Sequence, residues 1–389
     1  MSSLLSDPYV ISVLIFALLL AIYVYRGRKK FERQSIVLLR RTTKGRDAII
    51  KIAERFPRFW KHLGTAGIGI GFAASVFVFY TLIENLVKAA TTEQKAGLAF
   101  LLPSPTATTV AGPGFLAVPF WYWIIAIGFL VVVHEGLHGV MTVIGKVKIK
   151  SLGWGLLAVI PLAFVEPDEK ALQKKNFMTQ QRVFAAGSLA NFILAGIALL
   201  VVSYGFLWAY GEEGVGFHAF AKGQPAEQAN LTGVITSVDG QRVENRLALG
   251  QELEKISPGQ EITITTKLVE NNKVIEKSYQ LKTVAEPNST SNKAYIGILG
   301  VRDAKLMKED LLPFSGPITF FEGLFFFLFL INLGVGLANM LPLKPLDGGR
   351  MWELVFQKVS KKHSKTLTHG IAWITFILII ANFVIPQII

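Results

Sequence analysis

Two histidines and a glutamate crowd into five residues at His134, Glu135 and His138, inside the apolar run from Phe120 to Gly145. At helical spacing His134 and His138 fall one turn apart on a single face, so both imidazoles can reach one tetrahedral metal. Glu135, beside them, is placed to act as the base that takes a proton from a water activated by that metal. So short a pattern occurs by chance in soluble proteins. Within a membrane helix it means more, because ionisable groups there are costly and mark function. Two imidazoles still need a third ligand. The stretch from Asn339 to Gly349 (NMLPLKPLDGG) offers Asp347, which reads either as an ordinary turn residue or as the missing carboxylate; beside two histidines we read it as the ligand. Glu322 is the rival, but it lies about 25 Å from Asn339 along a helix, toward the far side of a bilayer. Glu353 is at the correct end but falls in a polar segment.

The composition says what surrounds these groups. The chain has 389 residues, 51% of them hydrophobic, a mean hydropathy of +0.45 and no cysteine. Without cysteine there is neither a disulfide framework nor a thiolate metal site. Runs near Pro8–Tyr25, Thr65–Val87, Trp121–Gly145, Arg182–Tyr210, Ser315–Leu341 and Leu367–Ile388 are long enough to span a bilayer. The first has no basic leader before it and no small-residue cleavage site after it, so it is expected to stay as a helix. The net charge of +13 is not spread evenly. Arg26 to His62 holds thirteen Lys/Arg against three Asp/Glu, whereas Gly211 to Asp310 holds twelve against fourteen. A basic loop beside a span is cytoplasmic by the positive-inside rule. Alternating the spans places both termini and the polar region outside the cytoplasm. The same loop suits anionic lipid heads better than nucleic acid.

In chain order, the basic loop has periodic apolar positions (Ile36, Leu39, Ile49, Ile52, Ala53, Phe56) that predict an amphipathic helix on the inner leaflet. Gly67, Gly69 and Gly71 allow close helix approach in the second span. Ala96–Pro119 is apolar but broken by Pro103, Pro105, Pro113 and Gly114, and reads as a capping loop. Ser151–Lys170 is too short and interrupted to span. It predicts short extended segments that dip into the membrane and return, with an edge on which an unwound substrate segment could pair, or else a plain interfacial loop. In the fourth span Gly187, Asn191 and Ala195 share one face. Asn191 there either holds a substrate backbone or water, or makes an interhelical hydrogen bond.

Gly211 to about Pro287 changes character. Gly233–Gly240 and Glu261–Leu268 alternate as strands, with Asp239-Gly240 and Asn271-Asn272 as hairpin turns, and Leu247–Ile256 reads as a short helix. Thr283–Lys293 looks like a linker, and Asn230 and Asn288 each begin a glycosylation sequon, which is weak information. Gly223 to Leu231 followed by Val234 to Val243 resembles the PDZ domains attached to bacterial-type proteases, which implies a groove for an extended peptide or a chain terminus.

Taken together, the His134–His138 motif on a membrane helix, the Gly187/Asn191 helix and the Asn339–Gly349 stretch resemble the site-2 protease family of intramembrane metalloproteases. Pro161–Asp168 (PLAFVEPD) is also similar to that family's re-entrant hairpin. The resemblance implies His134, His138 and Asp347 as ligands of one zinc ion and Glu135 as general base. It matches Gly187, Asn191, Asn339 and Pro342 to positions that handle the substrate. Ser188 stands where a proline is common. The expected architecture is a polytopic α-helical membrane protein of about six transmembrane helices with a re-entrant β-hairpin and an inserted β-rich PDZ-like domain. Its parts are residues 1–63 (first helix and basic loop), 64–210 and 313–389 (catalytic core), 211–290 (PDZ-like) and 291–312 (linker). The expected function is cleavage of transmembrane segments of other membrane proteins. The alternatives are a membrane PDZ adaptor with a structural metal site, or a prenyl-protein-type metalloprotease that uses a downstream glutamate.

Overall fold

The structure is a computed structural model that describes residues 7–34, 36–91, 98–112, 114–157, 160–270, 272–286 and 293–388. Asn271 of the expected Asn271-Asn272 turn, the sequon at Asn288 and most of the expected linker lie outside the described residues. Two compact units are present, Met1–Leu200 with Gly323–Ile389, and Val201–Glu322.

In the first unit, helix α1 (Pro8–Gly27) starts where Asp7 accepts the Tyr9 N–H and Pro8 presets the first turn. Strands β1 (Glu32–Gln34) and β2 (Val37–Thr42) follow, then α2 (Arg46–Arg55) and α3 (Pro57–Thr91). Next come β3 (Phe100–Ser104), β4 (Val110–Gly112), β5 (Phe115–Pro119) and the motif helix α4 (Phe120–Ile144). Helix α4 ends where Gly145 donates back to Met141 and Lys146 turns into the left-handed region at φ 53°. Strands β6 (Ile149–Leu157) and β7 (Ile160–Pro167), the short α5 (Glu169–Gln173) and α6 (Phe177–Leu200) complete this half.

The second unit carries β8 (Tyr210–Gly216), β9 (Ala219–Phe220), α7 (Pro225–Gln228), β10 (Val234–Val238), β11 (Gln241–Arg242) and α8 (Arg246–Glu254). It continues with β12 (Glu261–Glu270), β13 (Lys273–Lys282), β14 (Val284–Ala285), β15 (Ala294–Tyr295), β16 (Ile298–Leu299) and β17 (Arg302–Met307). Its main sheet runs β13-β12-β10-β8-β17, with β11 on β10. Inward positions such as Val215, Ile235, Val238 and Ile264 are almost fully buried and form its core. Within residues 291–312, the second stretch expected to be a linker, Arg302–Met307 is the strand β17, which pairs with β8 with Asp303 opposite Val215. The chain then returns to the first unit through α9 (Ser315–Asn339), α10 (Asp347–Val359) and α11 (Ser364–Ile388).

Among the described residues, six helical segments are long and apolar enough to cross a bilayer: Pro8–Lys30, Pro57–Thr91, Phe120–Ile144, Phe177–Ala209, Glu309–Asn339 and Ser364–Ile385. The protein is a multi-pass membrane protein built around them.

Two expectations are corrected. Ala96–Pro119 is not a plain loop: β5 pairs parallel with β3 and antiparallel with β4. Prolines sit in the edge strand β3 and at the end of β5, where a missing N–H costs the ladder little. The basic loop does contain an amphipathic helix, α2, which buries Ala53 against α4, and a Cβ at Gly139 would stand 3.0 Å from Ile49 Cδ1. Its first part, however, forms β1 and β2, and β2 adds to the β6–β7 hairpin to give a four-stranded sheet in the order β1-β2-β6-β7. The free edge expected on that hairpin is consequently closed along β6 and remains on β7.

Candidate metal centre

Two helices far apart in sequence bring the three ligand candidates together. His134 and His138 project from α4 one turn apart, and Asp347 is the first residue of α10. His138 Nε2 is 3.2 Å from His134 Nε2 and 3.2 Å from Asp347 Oδ2, and His134 Nε2 is 3.5 Å from the same oxygen. Ligand atoms 2.0–2.1 Å from a tetrahedral zinc stand about 3.3 Å from one another. The cluster therefore has the spacing of three corners of a zinc tetrahedron, and a fourth corner remains for water or substrate. The side chains are only 12%, 14% and 16% exposed, so the site is sheltered but accessible.

The His138 imidazole is held in the tautomer that metal binding requires. His138 Nδ1 lies 2.7 Å from the Val183 carbonyl oxygen, which accepts its N–H and leaves Nε2 free for the metal. His134 Nδ1 lies 3.1 Å from the carboxamide of Asn191, which is fully buried. The Asn191 Oδ1 atom has no partner of its own, and a half-turn of the amide gives it the N–H of a metal-bound His134. An orphaned buried oxygen beside a ligating nitrogen is what this donor set needs. Of the two roles open to Asn191, the hydrogen bond between helices is the one with a partner in the structure.

Gly187 belongs to the same arrangement. A Cβ there would stand 2.3 Å from His134 Nε2 and 2.4 Å from His138 Nε2, so α6 can pass the site only as glycine. Asp347 is placed by its two glycines in the same way. A Cβ on Gly348 would meet the Met340 carbonyl at 2.2 Å, and one on Gly349 would meet the Leu343 carbonyl carbon at 2.6 Å. Helix α10 is fixed from two sides. Gln181 Nε2 donates to the Met351 carbonyl at 3.0 Å, and Trp352 Nε1 donates to Ser75 Oγ at 2.9 Å.

The Glu135 Oε2 atom accepts the Val165 N–H of β7 at 2.9 Å. Asn339 ends α9, and Pro342 is buried in the following turn. The rival carboxylates are engaged elsewhere, Glu322 accepting the Tyr210 hydroxyl at 2.5 Å and Glu353 paired with Lys344 at 2.6 Å. Sequence reasoning missed Gln181, Val183 and Val165. The first was signalled by an amide in an apolar helix; the other two act through main-chain atoms that no side-chain pattern reveals.

Beside Glu135 opens a cleft of about 700 Å³, walled by α2, α3, α4, α6 and the sheet. Its lining is mostly apolar, with Ile52, Trp60, Val132, Trp154, Ala163 and Ile193 among the wall residues.

The model of peptidase family M50 matches residues 122–382, a region that includes all three ligand candidates. A protein of Methanocaldococcus jannaschii described as uncharacterized protein MJ0971 is 25% identical over 363 residues, which is 92% of this chain and 88% of that protein. The zinc metalloprotease RasP of Shouchella clausii is 23% identical over 264 residues, covering 57% of this chain and 61% of RasP.

Proposed function

The chain belongs to peptidase family M50, the site-2 protease family, and from that premise we propose that it is a zinc endopeptidase that cuts transmembrane segments of other membrane proteins. The observation that carries this is the His134–His138–Asp347 cluster, whose ligand atoms lie within 4.8 Å of one another, with both histidines on α4, a helix long and apolar enough to cross a bilayer.

Zinc held by these three groups would polarise the scissile carbonyl and lower the pKa of a water in its fourth position toward neutrality. The chain's own residues do the rest. Glu135 takes the proton from the attacking water on a carboxylate oxygen and returns it to the leaving amine nitrogen. Asn191 and the Val183 carbonyl keep the two imidazoles turned with Nε2 inward. The apolar cleft keeps bulk water from the substrate while receiving a hydrophobic segment. A transmembrane helix satisfies its own carbonyls, so it must unwind before cleavage, and pairing with the exposed edge of the re-entrant sheet is our proposed way to hold it open.

The second unit, Val201–Glu322, is proposed to be a PDZ-like module. Support comes from its buried β-sheet core with α7 and α8 and from the resemblance of Gly223–Val243. Lying outside the cytoplasm, it would admit substrates already shortened or partnered there. The basic segment of β2 and α2 would then face the cytoplasm and anionic lipid.

Glu135→Gln in the purified protein tests the reading. Zinc content should stay near one ion per chain, while cleavage of a model transmembrane peptide should fall by at least about a thousandfold. Unchanged cleavage would overturn it.

A further inference from the structure

Among the described residues, three glycines line the apolar cleft beside Glu135: Gly45, Gly136 and Gly153. Glycine loses more freedom on folding than any other residue, so each calls for a reason in conformation or in close packing. Two of them have one. Gly45, just before α2, takes a left-handed backbone at φ 95°. Gly153 on β6 faces Phe164 of β7, and a Cβ there would overlap the Phe164 ring. Gly136 has neither reason. It lies in the second half of α4 without a positive φ, where alanine would make the better helix. Outside the neighbouring backbone of α4, a Cβ on it would meet no heavy atom of the described residues within 4 Å. Gly139, three residues on, shows the contrast: its missing side chain makes room for Ile49 of α2, 3.0 Å from where the Cβ would be. The space at Gly139 is filled by the protein, and the space at Gly136 is left to the cleft.

What surrounds that space is apolar and uncovered. Lys44 and Glu135 are the only charged residues that line the cleft. Val132 of α4, one turn before Gly136, and Ile193 and Ile197 of α6 line it too, and they are 66%, 40% and 52% exposed. Gly136 also follows Glu135 directly in the chain, which puts their Cα atoms about 3.8 Å apart.

We propose that Gly136 is a specificity-determining residue: the space left by its missing side chain is a subsite for a bulky apolar side chain, of leucine or phenylalanine size, on a substrate residue beside the scissile bond. This rests on the proteolytic reading above and adds to it which bonds are cut. Burying apolar surface against this wall favours binding, and one methylene more or less in such a pocket changes kcat/KM by about 10- to 200-fold. A side chain seated at Gly136 also fixes its own peptide bond relative to the Glu135 carboxylate next door. Transmembrane segments offer many bonds between apolar residues, and side-chain size is a feature by which a cleft with so few polar groups can tell them apart.

The test uses the purified full chain and model transmembrane peptides that differ only in carrying Ala, Leu or Phe at the two positions flanking the bond the parent cuts, which mass spectrometry locates. At one of those positions the parent should favour Phe over Ala by at least about tenfold in kcat/KM. Gly136→Leu fills the space and should lower that ratio by at least about tenfold. Gly136→Ala adds a methyl group that has room and should lower it in the same direction, by about threefold. The inference is overturned if the parent is indifferent to size at both positions, or if Gly136→Leu keeps the parent's ratio; the space would then belong to lipid acyl chains. Where Gly136→Leu loses zinc or cuts none of the peptides, the ratio in Gly136→Ala decides, a fall supporting the subsite and an unchanged value overturning it. Failure of the proteolytic reading looks different: the parent chain cuts nothing, or Glu135→Gln cuts as well as the parent, and the subsite falls with it.

Discussion

Gly187 on α6 faces His134 on α4 so closely that a methyl group on the former would stand 2.3 Å from the Nε2 atom of the latter. The imidazole nitrogen that points toward the ligand cluster therefore occupies the volume of a missing side chain. Gly187→Ala should drive both histidines apart and leave the protein without zinc. Metal analysis of the purified variant, compared with parent, checks this. Stoichiometric zinc in the alanine variant would show that α6 can withdraw and that the contact is not what shapes the site.

Asn191 tests the orientation of the ligand. Its carboxamide is 3.1 Å from His134 Nδ1. Loss of such an outer partner weakens metal affinity by about 10–100-fold. Asn191→Ala should show that loss in a competition titration with a chelator, with zinc still binding at saturation. Unaltered affinity together with impaired cleavage would return Asn191 to a substrate-handling role.

What the sequence disclosed, and what it hid, follows from the range of the interactions. His134 and His138 are four residues apart, and apolar spans are local runs, so helical periodicity reveals both. Asp347 was legible because two glycines and two prolines announce a bend. The pairing of β2 with β6 was not, since Val37 meets Leu157 from a distant part of the chain, with α2, α3 and α4 between them. In addition, β2 reads as basic, because Arg40 and Arg41 occupy successive positions. Arg40 bonds the Tyr23 hydroxyl at 2.6 Å and Arg41 bonds Glu166, which uses both charges on specific partners and not on a uniformly solvated loop. The β3–β5 sheet was masked by its prolines, which a pattern search takes as breakers. The Val165 amide of β7 is a main-chain group, visible only once register is known.

Helix α10 is anchored at more than one point, and this predicts a separation of stability from metal binding. Trp352 Nε1 donates to Ser75 Oγ at 2.9 Å, and Ser75 is 3% exposed. Ser75→Ala strands the indole N–H and should cost about 1–3 kcal/mol, read as a lower melting temperature in detergent. Gln181 and the glycines after Asp347 still hold the first turn of α10, so zinc content should not change. Coupled loss of both would mean that Asp347 depends on the far face of its helix.

The four-stranded sheet carries a pH-dependent fastening. Glu166 accepts a hydrogen bond from Ser151 Oγ at 2.6 Å and another from Arg41 Nη1 at 2.5 Å. These bonds, Ser151 first and then Arg41, hold its carboxyl below the ordinary value of 4.5. A carboxylate depressed in the folded state stabilises the fold fully above its unfolded pKa, and that contribution fades as pH falls through the folded value. The effect is small, because Arg41 and Glu166 side chains are 43% and 42% exposed and water screens them. Comparing the melting temperatures of parent and Glu166→Gln from about pH 3 to about pH 7 isolates it. The parent's advantage should be flat above pH 4.5 and shrink below it. Raising the salt concentration should narrow the gap at neutral pH. A difference that stays the same across the whole range would mean that β2 is joined to the hairpin by its backbone ladder alone, with the Arg41–Glu166 pair contributing nothing to the sheet whose outer edge meets Glu135.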